Sequence, residues 1–332
     1  MECKQVIIKH KWLILYKIGE GSFGQVFKAK DIKSNDFYAI KRELKDSPQL
    51  YHEFKFYKTL KGGPCIPNCY WFGQHDGFNC LTLDLLGPSL KHLQEKLKEI
   101  PLRIVVQIGC QLIACFKHMH DLGIVYRDIK PENFLFPYKY SFSSFSSSLS
   151  SSTSPPSPPS FLALSVPPLP LYIVDFGLAT WWRNSRTNKP YPEAKYIKYK
   201  TGTARYASIR VHKGHSHARR DDLESLGYML LDLLCGDLPW SGVVARSRKA
   251  GWDRIRKIKE DTSLFDLCIG LPVGILHFID YTRKLEFYDT PDYDYLISVL
   301  QESLPFGSYS TLVKPQTQDL FDLPSFSKSI QI

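Results

Sequence analysis

Three side chains able to share one chemical task lie within six residues: the carboxylate of Asp128, the amine of Lys130 and the carboxamide of Asn133. Apolar flanks, Ile124-Val125 on one side and Phe134-Leu135-Phe136 on the other, hold this charged centre. Taken alone, such a loop is more often a solvated turn. A second carboxylate, Asp175, follows the strand-like run Leu171-Tyr172-Ile173-Val174 and precedes Phe176-Gly177, where the glycine permits a turn. If that strand returns beside Asn133, the two residues offer hard oxygen ligands of the kind Mg²⁺ prefers.

These groups need elements to place them. Gly19-Glu20-Gly21-Ser22-Phe23-Gly24 lies between the apolar positions Leu13, Leu15 and Ile18 and the alternating run Gln25-Val26-Phe27-Lys28-Ala29. The G-x-G-x-x-G spacing also occurs in dinucleotide-binding turns, but there the third glycine opens a helix. Here strand periodicity follows instead. The stretch therefore reads as a glycine-rich β-hairpin whose N–H groups can approach phosphate oxygens, with an ordinary hairpin turn as the alternative. Phe37-Tyr38-Ala39-Ile40-Lys41 is a second short strand that ends in lysine. A lysine that holds phosphate needs a carboxylate to aim it. Gln49–Leu60 shows the helical stripe Leu50, Phe54, Tyr57 and Leu60, and Glu53 beside that stripe is the preferred partner, with Glu43 as a rival.

Gly62-Gly63-Pro64 breaks that helix, and strands near Cys69–Gln74 and Phe78–Asp84 follow. Leu81 to Pro88 then reads as the connection between a small β-rich lobe and a larger helical one. Backbone groups of Asp84 to Leu86 could bond an adenine edge, with Leu83 as the back wall, since clefts between lobes are favoured ligand sites. Leu90–Leu97 and Leu102–His120 are helical by period, and the second is apolar on most faces.

Composition narrows the classes. With 332 residues the chain can build two lobes, and 43% hydrophobic content is ample for a core. The net charge of +10 favours partners bearing phosphate or carboxylate. Neither a dense basic run nor zinc-finger spacing accompanies it, so no nucleic-acid partner is expected. None of the eight cysteines forms a C-x-x-C pair, which suits a reducing compartment, cytoplasmic or nuclear. Met1 to His10 has no apolar signal core, no apolar run is expected to span a membrane, and Ser325–Ile332 has no cysteine to prenylate. Within Pro137–Pro170, the stretch Ser141–Ser160 holds twelve serines and four prolines, and reads as a disordered insertion in a β-hairpin.

Together these pieces resemble a eukaryotic protein kinase. The Asp128/Asn133 spacing matches the catalytic loop, and Lys41 stands where such enzymes keep the lysine of the α- and β-phosphates. Thr201-Gly202-Thr203-Ala204-Arg205-Tyr206-Ala207-Ser208-Ile209, Arg219-Arg220-Asp221-Asp222-Leu223-Glu224-Ser225-Leu226-Gly227-Tyr228 and Leu238-Pro239-Trp240 narrow the resemblance to the casein kinase I family. Leu85-Leu86-Gly87-Pro88-Ser89-Leu90 and Pro291-Asp292-Tyr293-Asp294-Tyr295-Leu296 agree. The resemblance runs from Trp12 to Leu304, less the insertion.

It implies an α+β, bilobal protein-kinase fold: a β-rich N-lobe with one main helix over 12–83, a hinge at 84–88 and a mainly helical C-lobe over 89–304. Residues 1–11 would be an extension and 305–332 a tail. It further implies a monomeric serine/threonine kinase, dependent on ATP and Mg²⁺, acting on acidic or already phosphorylated proteins. By motif, Asp128 would orient or deprotonate the substrate hydroxyl, and Lys130 would neutralise the transferring phosphoryl. Asn133 and Asp175 would bind Mg²⁺, while Lys41 and Glu53 would place ATP. Ile18, Gly19, Gly21, Gly24, Val26, Ala39, Leu83, Asp84 and Leu86 would line its pocket. Asp222 would brace the catalytic loop, and Lys198 and Arg205 would hold a substrate anion.

Three departures stand out. Tyr126 replaces the histidine of the common H-R-D motif and is expected to pack and to bond the backbone. Arg210 stands where the family has asparagine. Gly251 occupies the place of a third anion-binding lysine, with Arg248 and Lys249 nearby. The competing readings are a scaffold that has lost catalysis and a kinase of small molecules. Retention of Lys41, Asp128, Asn133 and Asp175 opposes the first, and Thr201–Ser208 as a peptide platform opposes the second.

Overall fold

A twisted antiparallel sheet receives the glycine-rich hairpin. A computed structural model of the chain describes residues 6–21, 24–97, 99–139 and 169–304. Strands β1 (Ile7–Ile8), β2 (Trp12–Gly21), β3 (Gly24–Asp31), β4 (Phe37–Leu44), β5 (Cys69–His75) and β6 (Phe78–Asp84) pair in the order β1-β2-β3-β4-β6-β5. The β2–β3 register sets Gly19 opposite Val26 and Gly21 opposite Gly24. The glycines do different work. At Gly24, φ is +131°, and a Cβ would run into the Arg42 carbonyl on β4, so this glycine serves the fold. A Cβ at Gly19 would meet only Val26 Cβ at 3.8 Å, so nothing in the packing demands glycine there.

Helix α1 (Gln49–Leu60) packs on β5 and β6, with Phe54 stacked on Phe72 at 4.9 Å between ring centroids. The other face of the sheet carries a small core of Ile8, Trp12, Ala29, Ile40 and Cys80. Ile8 is fully buried and pairs with Trp12, so the sheet begins inside the stretch expected to be a mere extension. Two residues are too few to show strand periodicity, which is why sequence alone missed β1.

The second lobe opens with β7 (Leu86–Ser89) and α2 (Leu90–Leu97). Then come α3 (Leu102–Asp121), β8 (Ile124–Val125), β9 (Phe134–Pro137), β10 (Tyr172–Ile173) and β11 (Thr180–Trp181). It closes with α4 (Ile209–Lys213), α5 (Arg219–Cys235), α6 (Arg248–Asp261), α7 (Leu264–Leu267), α8 (Val273–Lys284) and α9 (Tyr293–Glu302). At 20 residues and a mean hydropathy of 1.2, α3 is long and apolar enough to cross a membrane, contrary to the expectation that no run reaches that length. Its apolar faces are instead spent on α5 and α9. A Cβ at Gly109 of α3 would strike Leu300 and approach Leu230, so glycine there lets the three helices close up. Pairing of β9 with β10 (Leu135 opposite Tyr172) forms the hairpin expected to carry the serine-rich insertion. Tyr140–Pro168 and the tail from Pro305 lie outside the described residues.

Candidate active site

Asp222, near the start of α5, fixes the loop between β8 and β9. Its carboxylate accepts hydrogen bonds from the backbone N–H groups of Tyr126 at 2.7 Å and Arg127 at 2.8 Å, and lies 3.1 Å from His120 Nε2. These bonds hold Arg127 at a φ of +72°, a left-handed conformation a lone arginine would leave. Burial pushes the Asp222 carboxyl upward, but its bonds to His120 and to the loop outweigh it, and the net shift is downward. Tyr126 is fully buried, donates from its hydroxyl to the Val174 carbonyl at 2.7 Å and meets Phe176 edge-on at 5.6 Å. The tyrosine thus packs and bonds the backbone, as its place in the motif suggested.

The loop delivers Asp128 already restrained from three directions. Lys130 Nζ donates to it at 2.6 Å, Thr203 Oγ1 at 2.8 Å and Asn133 Nδ2 at 3.2 Å. Asn133 Nδ2 also donates to the Asp128 carbonyl at 3.0 Å. The carboxamide oxygen of Asn133 is then the atom a cation would take. The Val174 N–H donates to the Asn133 carbonyl at 3.0 Å, which brings Asp175 alongside, as the sequence required of a shared cation site. Asp175 itself is left-handed (φ 64°) and accepts from Gly177 N at 3.3 Å. Among the described residues no group of three or more His, Cys, Asp or Glu side chains could hold a metal unaided. One carboxylate and one carboxamide suit a Mg²⁺ whose remaining ligands are phosphate oxygens and water.

Lys41 spans the lobes. Its Nζ lies 2.6 Å from Glu53 on α1 and 3.1 Å from Asp175. Burial would lower the Lys41 pKa, but the two carboxylates overcome it and hold the amine above its ordinary value. The rival Glu43 is engaged elsewhere, accepting from Leu50 N at 2.7 Å and Ser47 Oγ at 2.8 Å at the start of α1. Gln49 bonds the Gly177 carbonyl and His52 lies 2.9 Å from that of Ala179, docking α1 on the segment that carries Asp175.

Above these groups opens a cleft of about 980 Å³. Ile18, Gly19, Gly24, Val26, Ala39, Lys41, Glu53, Leu83, Asp84 and Leu86 all line it, as expected from sequence, together with Lys130, Asn133 and Asp175. Gly21 ends β2. Leu135, Tyr16, Lys28 and Tyr138 also line the cleft and were not singled out by sequence; the alternation of β9 could have suggested Leu135. In the 84–88 segment the Asp84 N–H donates to the Asn68 carbonyl at 3.2 Å, so an adenine edge would be left to the backbone groups beyond it.

The Asp84 carboxylate accepts from Tyr70 Oη at 2.7 Å and from Asn68 N. Burial nevertheless pushes it up to about 6. Because the folded value lies above the ordinary one, the folded state keeps a proton that the unfolded state loses between about pH 4 and 6, and stability falls as pH rises through that window. Burial lifts Asp221 to about 6 as well and adds to the same slope. Asp84→Asn is therefore expected to reduce, without abolishing, the pH dependence of urea-unfolding stability from pH 4 to 6. An unchanged slope would refute this assignment.

The expected anion residues are placed apart in chemistry. Lys198 is exposed, with its amine 5.4 Å from the Tyr199 ring centroid. Arg205 is not a free cation: it pairs with Asp232 and, at 3.1 Å, with Asp237. Its charge is largely balanced, and it ties the Thr201–Ser208 platform to the end of α5. Lys259 supports the same platform from below, donating to the carbonyls of Ala204 at 3.1 Å and Ala207 at 2.6 Å while wedged against the Tyr228 and Trp240 rings. Arg210 has a defined place, donating to the Arg283 carbonyl at 2.7 Å with Glu286 3.7 Å away. Arg248 and Lys249 are exposed in the first turn of α6, which also contains Gly251.

Comparison with known proteins agrees with this geometry. The chain belongs to the protein kinase domain family, whose match covers residues 12–267. Within it the chain is casein kinase I-like. It is 39% identical over 293 residues to casein kinase I homolog 2 of Schizosaccharomyces pombe, covering 87% of this chain and 61% of that one. To casein kinase I homolog 1 of the same yeast it is 38% identical over 293 residues, 87% of this chain and 60% of the relative. The chain thus spans about three-fifths of the length of these curated relatives.

Proposed function

We propose that this chain is a serine/threonine protein kinase that transfers the γ-phosphoryl group of ATP, with Mg²⁺, to hydroxyls of acidic or already phosphorylated proteins. The observation that carries the reading is the restraint of Asp128 by Lys130, Asn133 and Thr203, on a loop held by Asp222. A carboxylate so placed orients a substrate hydroxyl and receives its proton. Lys130 neutralises charge at the transferring group. Lys41, aimed by Glu53, holds the phosphates, and the open side of Gly19 lets them approach the hairpin. Asn133 and Asp175 would hold Mg²⁺, which when bound neutralises phosphate charge.

Exposed Lys198, Arg248 and Lys249 support recognition of anionic substrates, and the names of the two yeast relatives suggest casein as a first test protein. Balanced Arg205 and the absent side chain at Gly251 argue for a mild preference. The ratio of kcat/KM for matched phospho-primed and unprimed peptides is expected to be about 2 to 5, the worth of an exposed charge pair. Equal kinetics would overturn the priming part of the reading. We assign the protein to the cytoplasm or nucleus as a monomer; seven described cysteines that are all free support a reducing compartment.

A further inference from the structure

One lysine and its aromatic neighbours join the two lobes at the edge of the cleft beside the 84–88 segment, and none has a part in the chemistry above. Lys28 stands on β3 two residues beyond Val26, so strand alternation turns it to the same face, toward the cleft. Tyr16 on β2 and Ala39 on β4 are its cross-strand neighbours. Its amine donates to the Tyr138 hydroxyl at 2.6 Å. It also lies over the rings of Phe37 at 4.3 Å, Tyr138 at 4.9 Å and Tyr16 at 5.6 Å.

Tyr138 comes from the other lobe. It follows β9 directly, three residues past Leu135, which lines the same cleft. Phe37 meets the Tyr138 ring at 6.4 Å, so two N-lobe side chains, Lys28 and Phe37, hold a C-lobe phenol. The hydrogen bond to Tyr138 holds the amine above its ordinary pKa despite some burial, so the contact is charge-assisted at physiological pH. The ties Lys41–Asp175, Gln49–Gly177 and His52–Ala179 join α1 and β4 to the segment carrying Asp175, at the inner end of the cleft. The Lys28–Tyr138 contact lies at its hinge edge, since Pro137, next to Tyr138, pairs with Leu86.

We propose that Lys28 and Tyr138 form a latch between the lobes, beside the hinge, that sets how long a nucleotide stays bound; this rests on reading the cleft as the ATP site. A bound nucleotide leaves when the lobes part, and in many enzymes such opening limits turnover. Parting the lobes takes the Lys28 amine away from the Tyr138 ring and hydroxyl oxygen, a contact partly shielded from water, while Tyr16 and Phe37 stay with it on the N-lobe.

The test is the dissociation rate of ADP, in the presence of Mg²⁺, from the immobilised 332-residue chain. Tyr138→Phe, which keeps the ring, and Lys28→Met are each expected to speed release about 3- to 10-fold. The double variant is expected to release no faster than the faster single, because one contact is lost once. Lys28→Arg, which keeps the cation, is expected to stay within about twofold of wild type. Wild-type rates in both single variants, or effects that multiply in the double, would overturn the latch. A wild-type chain that binds no ADP would overturn the ATP-site reading and the latch with it.

Discussion

Asp175→Ala is expected to lower phosphoryl transfer to casein at least about a thousandfold while the protein stays folded. The two halves of this result rest on different observations. Asp175, brought alongside Asn133, would supply one of the two protein oxygen ligands of Mg²⁺, and phosphoryl-transfer catalysis is mostly positioning and charge stabilisation, so removing the carboxylate would remove the largest lever of the proposed site. Its structural duties are light. It is partly exposed, accepts one bond from Gly177, and shares Lys41 with Glu53, which keeps its own 2.6 Å contact. The stability change is therefore expected within about 1 kcal/mol. Turnover with casein and thermal unfolding of the same preparation check both halves. Near-normal phosphorylation by the folded variant would remove Asp175 from the site.

Asp222→Ala should do the reverse, acting through stability first. This carboxylate is buried and takes the backbone N–H groups of Tyr126 and Arg127, together with a contact to His120. Alanine leaves two buried donors without a partner, and each costs about 1–3 kcal/mol. Arg127 also loses what holds it at positive φ. Loss of a buried charged hub of this kind costs about 3–5 kcal/mol, which lowers the melting temperature by roughly 10 °C in a protein of this size. Asp128 rides on the same loop, so turnover is expected to fall even well below the new melting point, with less effect on the KM for ATP. A melting temperature within a degree of wild type would show that the loop does not depend on Asp222.

Comparing these residues shows what sequence can and cannot disclose. Asp128, Lys130, Asn133, Asp175, Lys41 and Glu53 were legible because each is a chemical type at a spacing the reaction imposes, and the structure brings them together. Helices α1, α2 and α3 were legible because a stripe or an apolar face repeats with helical period. Other features depended on partners distant in sequence. Nothing local announces that Arg205 meets Asp232 and Asp237, or that Lys28 reaches Tyr138 across 110 positions. The two glycines of the hairpin look alike in sequence, yet its positive φ and the Arg42 carbonyl from the next strand separate the structural Gly24 from the open Gly19. Sequence already preferred Glu53 to Glu43, and the structure adds the reason: helix α1 starts over Glu43 and presents Glu53 to Lys41.

The central claim is that Asp128 is the group on which a substrate hydroxyl is activated. The most direct measurement follows transfer of labelled γ-phosphate from Mg-ATP to casein by wild type and by Asp128→Asn, with the phosphorylated residue type identified. The wild-type chain is predicted to label serine and threonine. Asp128→Asn, which keeps the shape and hydrogen-bonding reach but not the base, is predicted to lose about 10²- to 10⁴-fold in rate while binding ATP as before. Transfer at the same rate by both proteins, or none from a wild-type chain that binds Mg-ATP, would contradict the account.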